Sequence, residues 1–191
     1  MDRKVLLFGG AFDPPHFGHY IIASQALVLN HDRGFKELWF MPYYSDPFSN
    51  KEVSAGKHRA EMLRCMLRSW GYNDMSVCSY ELDSRNIDGA YAAVVMLQEF
   101  YRNIEFMYVV GQDQYELLPA WRNYDKLKEI IKFFVLPRWE DVSSTKIRKF
   151  FNLLNKETRM SDRWFETWLA SRVEKYIIEN DLYMNDRYLK E

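Results

Sequence analysis

Five apolar, β-rich runs at 4–9, 36–42, 75–82, 104–110 and 132–137 alternate with helical patterns near 16–30, 55–70, 89–102, 121–131, 144–155 and 165–180. That alternation constrains the fold more than any other feature, because strands separated by helices pair in parallel through crossovers. The class is therefore α/β with a parallel sheet. Two helical stripes supply core: Met62, Leu63, Met66, Leu67 and Trp70 in one segment, and Phe165, Trp168, Leu169, Val173, Tyr176 and Ile177 in the last. In such sheets ligands collect at the carboxyl ends of strands near a switch point. The end of the first run is occupied by Gly9-Gly10-Ala11-Phe12-Asp13-Pro14-Pro15-His16-Phe17-Gly18-His19.

This turn has the chemistry of a phosphate site. The paired glycines put no Cβ in the way of a nucleotide and tolerate positive φ. Pro14 and Pro15 restrict the chain where it re-enters a helix, in a first turn that needs no N–H from them. A helix beginning near Pro15 projects His16 and His19 from one face toward its N-terminal end, where the dipole favours anions. A second such turn is Val142-Ser143-Ser144-Thr145-Lys146-Ile147-Arg148. Its hydroxyls stand where a helix would begin, either as a plain cap or as a phosphate cradle. Arg148, four residues after Ser144, lies on the same helix face, and its guanidinium can fork two phosphate oxygens. Asp113 follows the fourth run, placed to bond a ribose or to cap a helix. Trp121 is suited to stack on a flat ring, or equally to fill core among Leu117, Leu118 and Leu127.

Composition narrows the field. With 191 residues the chain buries a substantial core as one domain, expected over 1–184 with a polar tail at 185–191. A net charge of −1 lacks the global field of a nucleic-acid or membrane-surface binder. No apolar run approaches the roughly 20 residues of a membrane span. The apolar stretch behind Arg3 and Lys4 is also short for a secretory signal, so a cytoplasmic location is expected. Cys65 and Cys78 are too few for a zinc site or a disulfide framework and are read as reduced core residues.

Neither GxGxxG nor a Walker sequence is present, which removes support for hydride transfer and P-loop hydrolysis. What stands instead resembles the nucleotidyltransferase superfamily with the HxGH turn. GGAFDPPHFGH at 9–19, VSSTKIR at 142–148, Gly111-Gln112-Asp113 with Leu118-Pro119-Ala120-Trp121 behind it, and Val173–Ile177 followed by Leu182-Tyr183 occur in the order of that superfamily's nicotinate or nicotinamide mononucleotide adenylyltransferase branch. The resemblance implies a Rossmann-like three-layer sandwich with a mostly parallel, five- or six-stranded sheet and a C-terminal helical portion, about 143–184. Only Trp139, Glu140 and Asp141 separate Arg138 from VSSTKIR, where the branch inserts a longer connection with another strand, which leaves the sheet open to having five strands instead of six and any oligomer built on that edge open to change.

The resemblance also implies an activity: transfer of AMP from ATP to nicotinate or nicotinamide mononucleotide, releasing pyrophosphate, in NAD biosynthesis. His16, His19 and Arg148 are then the catalytic set. Gly9, Gly10, Ala11, Phe12, Gly18, Ser143, Ser144 and Thr145 line the ATP phosphates, Lys51 reaches them from the 43–57 loop, and Arg138 lies near the adenine. Asp113, Trp121 and Tyr91 take the acceptor. Magnesium is expected to ride on the triphosphate, with no protein cage. Ala11 replaces the usual threonine or serine, leaving only backbone to make contact there. Ala92 and Val95 replace threonines that the branch associates with the nicotinate carboxylate, which gives weight to the amide acceptor. The alternatives are a related transferase with another acceptor, pantetheine phosphate or a CTP-dependent alcohol, and a nucleotide-binding regulator without turnover.

Overall fold

The computed structural model describes residues 3–44, 53–71, 73–83, 89–137, 142–154 and 168–184. Strands β1 (Arg3–Gly10), β2 (Phe35–Pro42), β3 (Met75–Val77), β4 (Ile104–Gly111) and β5 (Lys132–Leu136) form one sheet in the order β3-β2-β1-β4-β5. All four pairings are parallel. Among the described residues the sheet thus has five strands. Its order reverses between β1 and β4, which makes the carboxyl ends of these two strands the topological switch point.

Alternation along each strand divides the core into two layers. Leu6, Phe8, Leu38, Phe40, Met107 and Val109 face one side. There they meet α1 (Phe17–Asn30), α2 (Gly56–Trp70), α7 (Ser144–Leu154) and α8 (Ser171–Glu179). Val5, Leu7, Trp39, Met41, Phe106, Tyr108 and Val110 face the other side. Those side chains pack on Ala93, Val94 and Leu97 of α4 (Gly89–Phe100) and on Leu127 of α6 (Tyr124–Ile130). Both faces are covered, which is why the strands read as continuous apolar runs. The short helices α3 (Tyr80–Asp83) and α5 (Gln112–Tyr115) complete the described elements, with single 3₁₀ turns at His31–Arg33 and Leu118–Ala120.

Three expectations change. The run at 75–82 is strand only to Val77; Cys78 N–H still donates to the Phe40 carbonyl, and the chain then turns into α3. As the sheet edge this strand has a neighbour on one side only, and three residues of pairing satisfy it. The helix expected from 121 starts at Tyr124, because Trp121 is extended (φ −69°, ψ 138°) and Asn123 is left-handed (φ 57°). The last helix starts at Ser171 rather than 165; residues 165–167 lie outside the described residues, as do the 185–191 tail and Trp139–Asp141. No helix of the described residues is long and apolar enough to cross a membrane. Cys65 and Cys78 are free thiols, Cys65 buried and Cys78 half-buried; burial pushes the Cys65 thiol up.

Candidate active site

β1 delivers the chain to the switch point as Gly9-Gly10, and the reason for the two glycines differs from the one expected. Neither has positive φ; both belong to the strand. A Cβ on Gly9 would overlap Tyr108 Oη, and one on Gly10 would stand 3.0 Å from the Phe12 ring. The glycines therefore make room for aromatic side chains of the protein. The left-handed position falls on Phe12 (φ 52°), a non-glycine held there because its ring is buried against Phe8, Phe40 and His19.

The helix also starts later than the prolines suggest. His16 is its N-cap, with extended backbone, and α1 begins at Phe17. His16 N–H donates to His19 Nδ1 at 3.2 Å. An accepting Nδ1 assigns the proton of the neutral ring to Nε2, so His19 presents a donor on its far edge. The two imidazoles lie 3.8 Å apart between centroids. Gly18 permits this: a Cβ there would be 3.1 Å from the His16 ring and from Val142. The Phe17 amide donates to the Trp168 carbonyl at 2.7 Å, so α1 offers an anion fewer amides than an open helix start.

The VSSTKIR segment closes on this turn from 130 residues away. Ser143 caps α7, its Oγ accepting from Lys146 N–H at 3.3 Å. Ser144 Oγ donates to the Pro14 carbonyl at 2.8 Å. Arg148 is buried, with Nη1 donating to the Asp13 carbonyl at 2.7 Å and Nη2 to Thr145 Oγ1 at 3.1 Å. The guanidinium therefore anchors the motif turn through Nη1, while Nη2 braces it against its own helix at Thr145. Imidazoles, hydroxyls and this cation share one patch, a donor set matched to phosphate oxygens.

Two residues that sequence reasoning passed over complete the frame. Arg59 of α2 has no exposed surface and holds three chain segments at once. It donates to the carbonyls of Ala11 (2.9 Å), Tyr43 (2.7 Å) and Ser54 (2.7 Å), with a longer contact to Tyr44 (3.4 Å). Asp13, also buried, accepts from Ser54 N–H at 3.0 Å and from Tyr183 O–H at 2.6 Å. Arg59 had a visible signal: it stands one helical turn before Met62 and Leu63, a cation in register with an apolar stripe. Nearby, His58 Nδ1 meets Tyr176 Oη at 3.0 Å; burial first, and Lys57 second, hold His58 below the usual histidine range.

Across the switch point, Gly111 ends β4 and caps α5, so Asp113 stands in the first turn of that helix rather than at its cap. Its carboxylate folds toward Gly111, where a Cβ would come within 2.8 Å of Oδ1. Trp121 is half-buried, its ring edge-on to Tyr108 at 5.9 Å. Tyr91 is half-buried on α4, under the Lys126 ammonium at 5.9 Å. Tyr108 Oη against Gly9 thus joins the β1 turn to the Trp121 side. Ala92 and Val95 are half-buried. Lys51, Arg138 and the centre of the 43–57 loop lie outside the described residues. Among the described residues no three His, Cys, Asp or Glu side chains group as a metal cage.

Residues 7–150 match the family described as cytidylyltransferase-like. The chain is 30% identical over 200 residues to the nicotinate-nucleotide adenylyltransferase of Bacillus subtilis, covering 95% of this chain and 98% of that protein. Among solved structures it resembles the Plasmodium falciparum nicotinic acid mononucleotide adenylyltransferase complexed with NaAD, with a TM-score of 0.70 and 19% identity over 95% of this chain and 97% of that one. The same enzyme complexed with APC matches at a TM-score of 0.68, again with 19% identity over 95% and 97%.

Proposed function

The chain belongs to the cytidylyltransferase-like family, and from that premise we propose that it transfers AMP from ATP to a pyridine mononucleotide, releasing pyrophosphate, as a step of NAD biosynthesis. The observation that carries this reading is the closure of α7 on the HxGH turn through Ser144 and Arg148. That contact gathers a donor-rich patch at the switch point, where nucleotides bind in doubly wound sheets. The names of the relatives favour the nicotinate form of the acceptor over the amide.

In this mechanism the acceptor's 5′-phosphate oxygen attacks the α-phosphorus of ATP; a new P–O bond forms as the bond to pyrophosphate breaks. The nucleophile is already an anion, so no residue has to take a proton from it. The protein aligns the two phosphates and stabilises the charge that develops. His19, donating from Nε2, and His16 beside it face the α-phosphate and the bridging oxygen. Arg148 and the Ser143–Thr145 turn hold the β and γ phosphates, while Gly9, Gly10, Ala11, Phe12 and Gly18 shape the backbone around them. Asp113 takes a ribose, and Trp121 with Tyr91 the pyridine ring. Lys51 and Arg138 are proposed to assist at the phosphates and the adenine.

A divalent cation fits these residues as a companion of the triphosphate. The carboxylate built into the turn, Asp13, has both oxygens in hydrogen bonds, and the remaining groups are donors to phosphate. When bound there, magnesium neutralises phosphate charge. The test incubates purified protein with magnesium, ATP or CTP, and nicotinate mononucleotide, nicotinamide mononucleotide or phosphopantetheine, and reads pyrophosphate and product mass. ATP-dependent formation of the dinucleotide is expected, faster with the acid. Tight ATP binding with no pyrophosphate from any acceptor would sink the enzyme reading, and turnover only with phosphopantetheine or CTP would reassign the acceptor or donor.

A further inference from the structure

Besides the Phe17 amide bond to Trp168, a hydrogen bond that spans 170 residues ties the C-terminal segment into the HxGH turn: Tyr183 O–H donates to Asp13 Oδ1 at 2.6 Å. Both residues are buried to 1% exposure. The path to this contact is specified in detail. α8 ends in a Schellman turn, with Leu182 N–H donating to the Ile177 carbonyl at 3.0 Å and Asp181 N–H to the Ile178 carbonyl at 3.2 Å. The left-handed residue of that turn is Asp181 (φ 50°), where glycine is the usual choice, and Tyr183 is left-handed as well (φ 66°). Two non-glycine residues with positive φ within three positions are unfavourable unless the surroundings over-determine them. Here the surroundings are the turn itself. The other oxygen of Asp13 holds Ser54 N–H, and its backbone carbonyl accepts from Arg148. Asp13 therefore joins three segments, and it stands three residues before His16.

We propose that Tyr183 is a positioning residue for His16 and His19, acting through the Asp13 carboxylate. Its hydroxyl fixes the orientation of that carboxylate, the carboxylate fixes the turn, and the turn sets where His16 leaves the backbone and hence where His19 Nε2 points. Its kinetic readout rests on the adenylyltransferase reading above; its structural readout does not.

The experiment compares wild type with Tyr183→Phe, Asp13→Ala and the double variant. The phenylalanine keeps the ring in its buried slot and removes only the donor. In turnover, Tyr183→Phe is expected to lower kcat about ten- to hundredfold, the scale of a small misplacement of reacting groups, with both KM values within about twofold. In the Asp13→Ala background, which removes every side-chain partner of the hydroxyl at position 13, the same substitution is expected to change kcat less than about twofold, since its route is already cut. In the ligand-free protein, imidazole NMR signals of His16 and His19 are expected to shift in Tyr183→Phe, while exposed His31 stays fixed and reports an intact fold. Unchanged kcat, or an equal loss in both backgrounds, overturns the proposal, the second result because it assigns Tyr183 to packing alone. Should wild type make no product, the adenylyltransferase reading fails by itself and the imidazole signals decide: a shift that disappears in the Asp13→Ala background supports positioning, and no shift overturns it.

Discussion

Gly9→Ala is the sharpest probe of how the site is built, because the added methyl meets a defined obstacle. Gly9 is not left-handed, so alanine brings no backbone strain and the whole effect is one of space. The new Cβ would overlap Tyr108 Oη and lie 2.8 Å from Cζ and 3.3 Å from Cε1. The tyrosine has little room to withdraw: it is 3% exposed, edge-on to Trp121 at 5.9 Å and tilted against Phe133 at 5.8 Å. Overpacking of a tight core costs about 1–3 kcal/mol, and a clash with a hemmed-in ring belongs in the upper half, about 2–3 kcal/mol. For a chain of this size that lowers Tm by about 4–12 °C. Thermal and urea unfolding of wild type, Gly9→Ala, Tyr108→Phe and the double variant measure it. Removing Oη relieves the overlap but leaves Cζ at 2.8 Å, so Tyr108→Phe rescues only part, a coupling of about 1 kcal/mol. A Gly9→Ala protein as stable as wild type, or an equal loss in both backgrounds, would refute the steric account of the glycine pair.

Other outcomes follow from the same geometry. His19→Ala is expected to lower kcat at least about 100-fold with the fold intact, as for removal of a preorganised charge stabiliser; near-normal turnover with unchanged circular dichroism would show that His19 is misassigned. Arg59→Met leaves the carbonyls of Ala11, Tyr43 and Ser54 without their donor and is expected to cost about 3 kcal/mol or more in urea unfolding, with Arg59→Lys a poor substitute because an ammonium cannot fork to them; a loss under about 1 kcal/mol contradicts the hub role. His58 binds a proton less readily folded than unfolded. Its contribution is therefore intact above the usual histidine value near 6.5 and declines as pH falls through the lower folded value. Urea midpoints at two pH values, one on each side of that range, are expected to differ less in His58→Gln than in wild type, and an identical difference would count against it.

The sequence and the structure agree most closely where one physical signal dominates. Four of the strands differ from their apolar runs by no more than a residue at either end, because both sheet faces are covered and charged residues are confined to the first three positions of these strands. The fifth, at the sheet edge, stops five residues short of its run, since alternation at 78–82 is equally served by a turn that packs Tyr80 on the second core layer. In the site, residue types named candidate groups but not the contacts they make. Glycine suggests positive φ, yet the left-handed residue is Phe12, because aromatic packing outweighs backbone preference there. The helix spacing of Arg148 suggests a phosphate ligand but does not disclose its donation to the Asp13 carbonyl, a contact that depends on tertiary placement. Asp13 and Tyr183 each look ordinary in sequence; only the fold makes them partners.

That partnership has a consequence for how the protein is made. At about 5–20 residues per second of synthesis, Tyr183 leaves the ribosome on the order of 9–34 s after Asp13, the two being 170 positions apart. Through that interval β1, its glycine turn and both histidines already exist as nascent chain, while the hydroxyl that orients their carboxylate does not. The HxGH turn gains this contact only once residue 183 has emerged, so a chain stalled before it carries every group of the motif turn without the contact that aligns them.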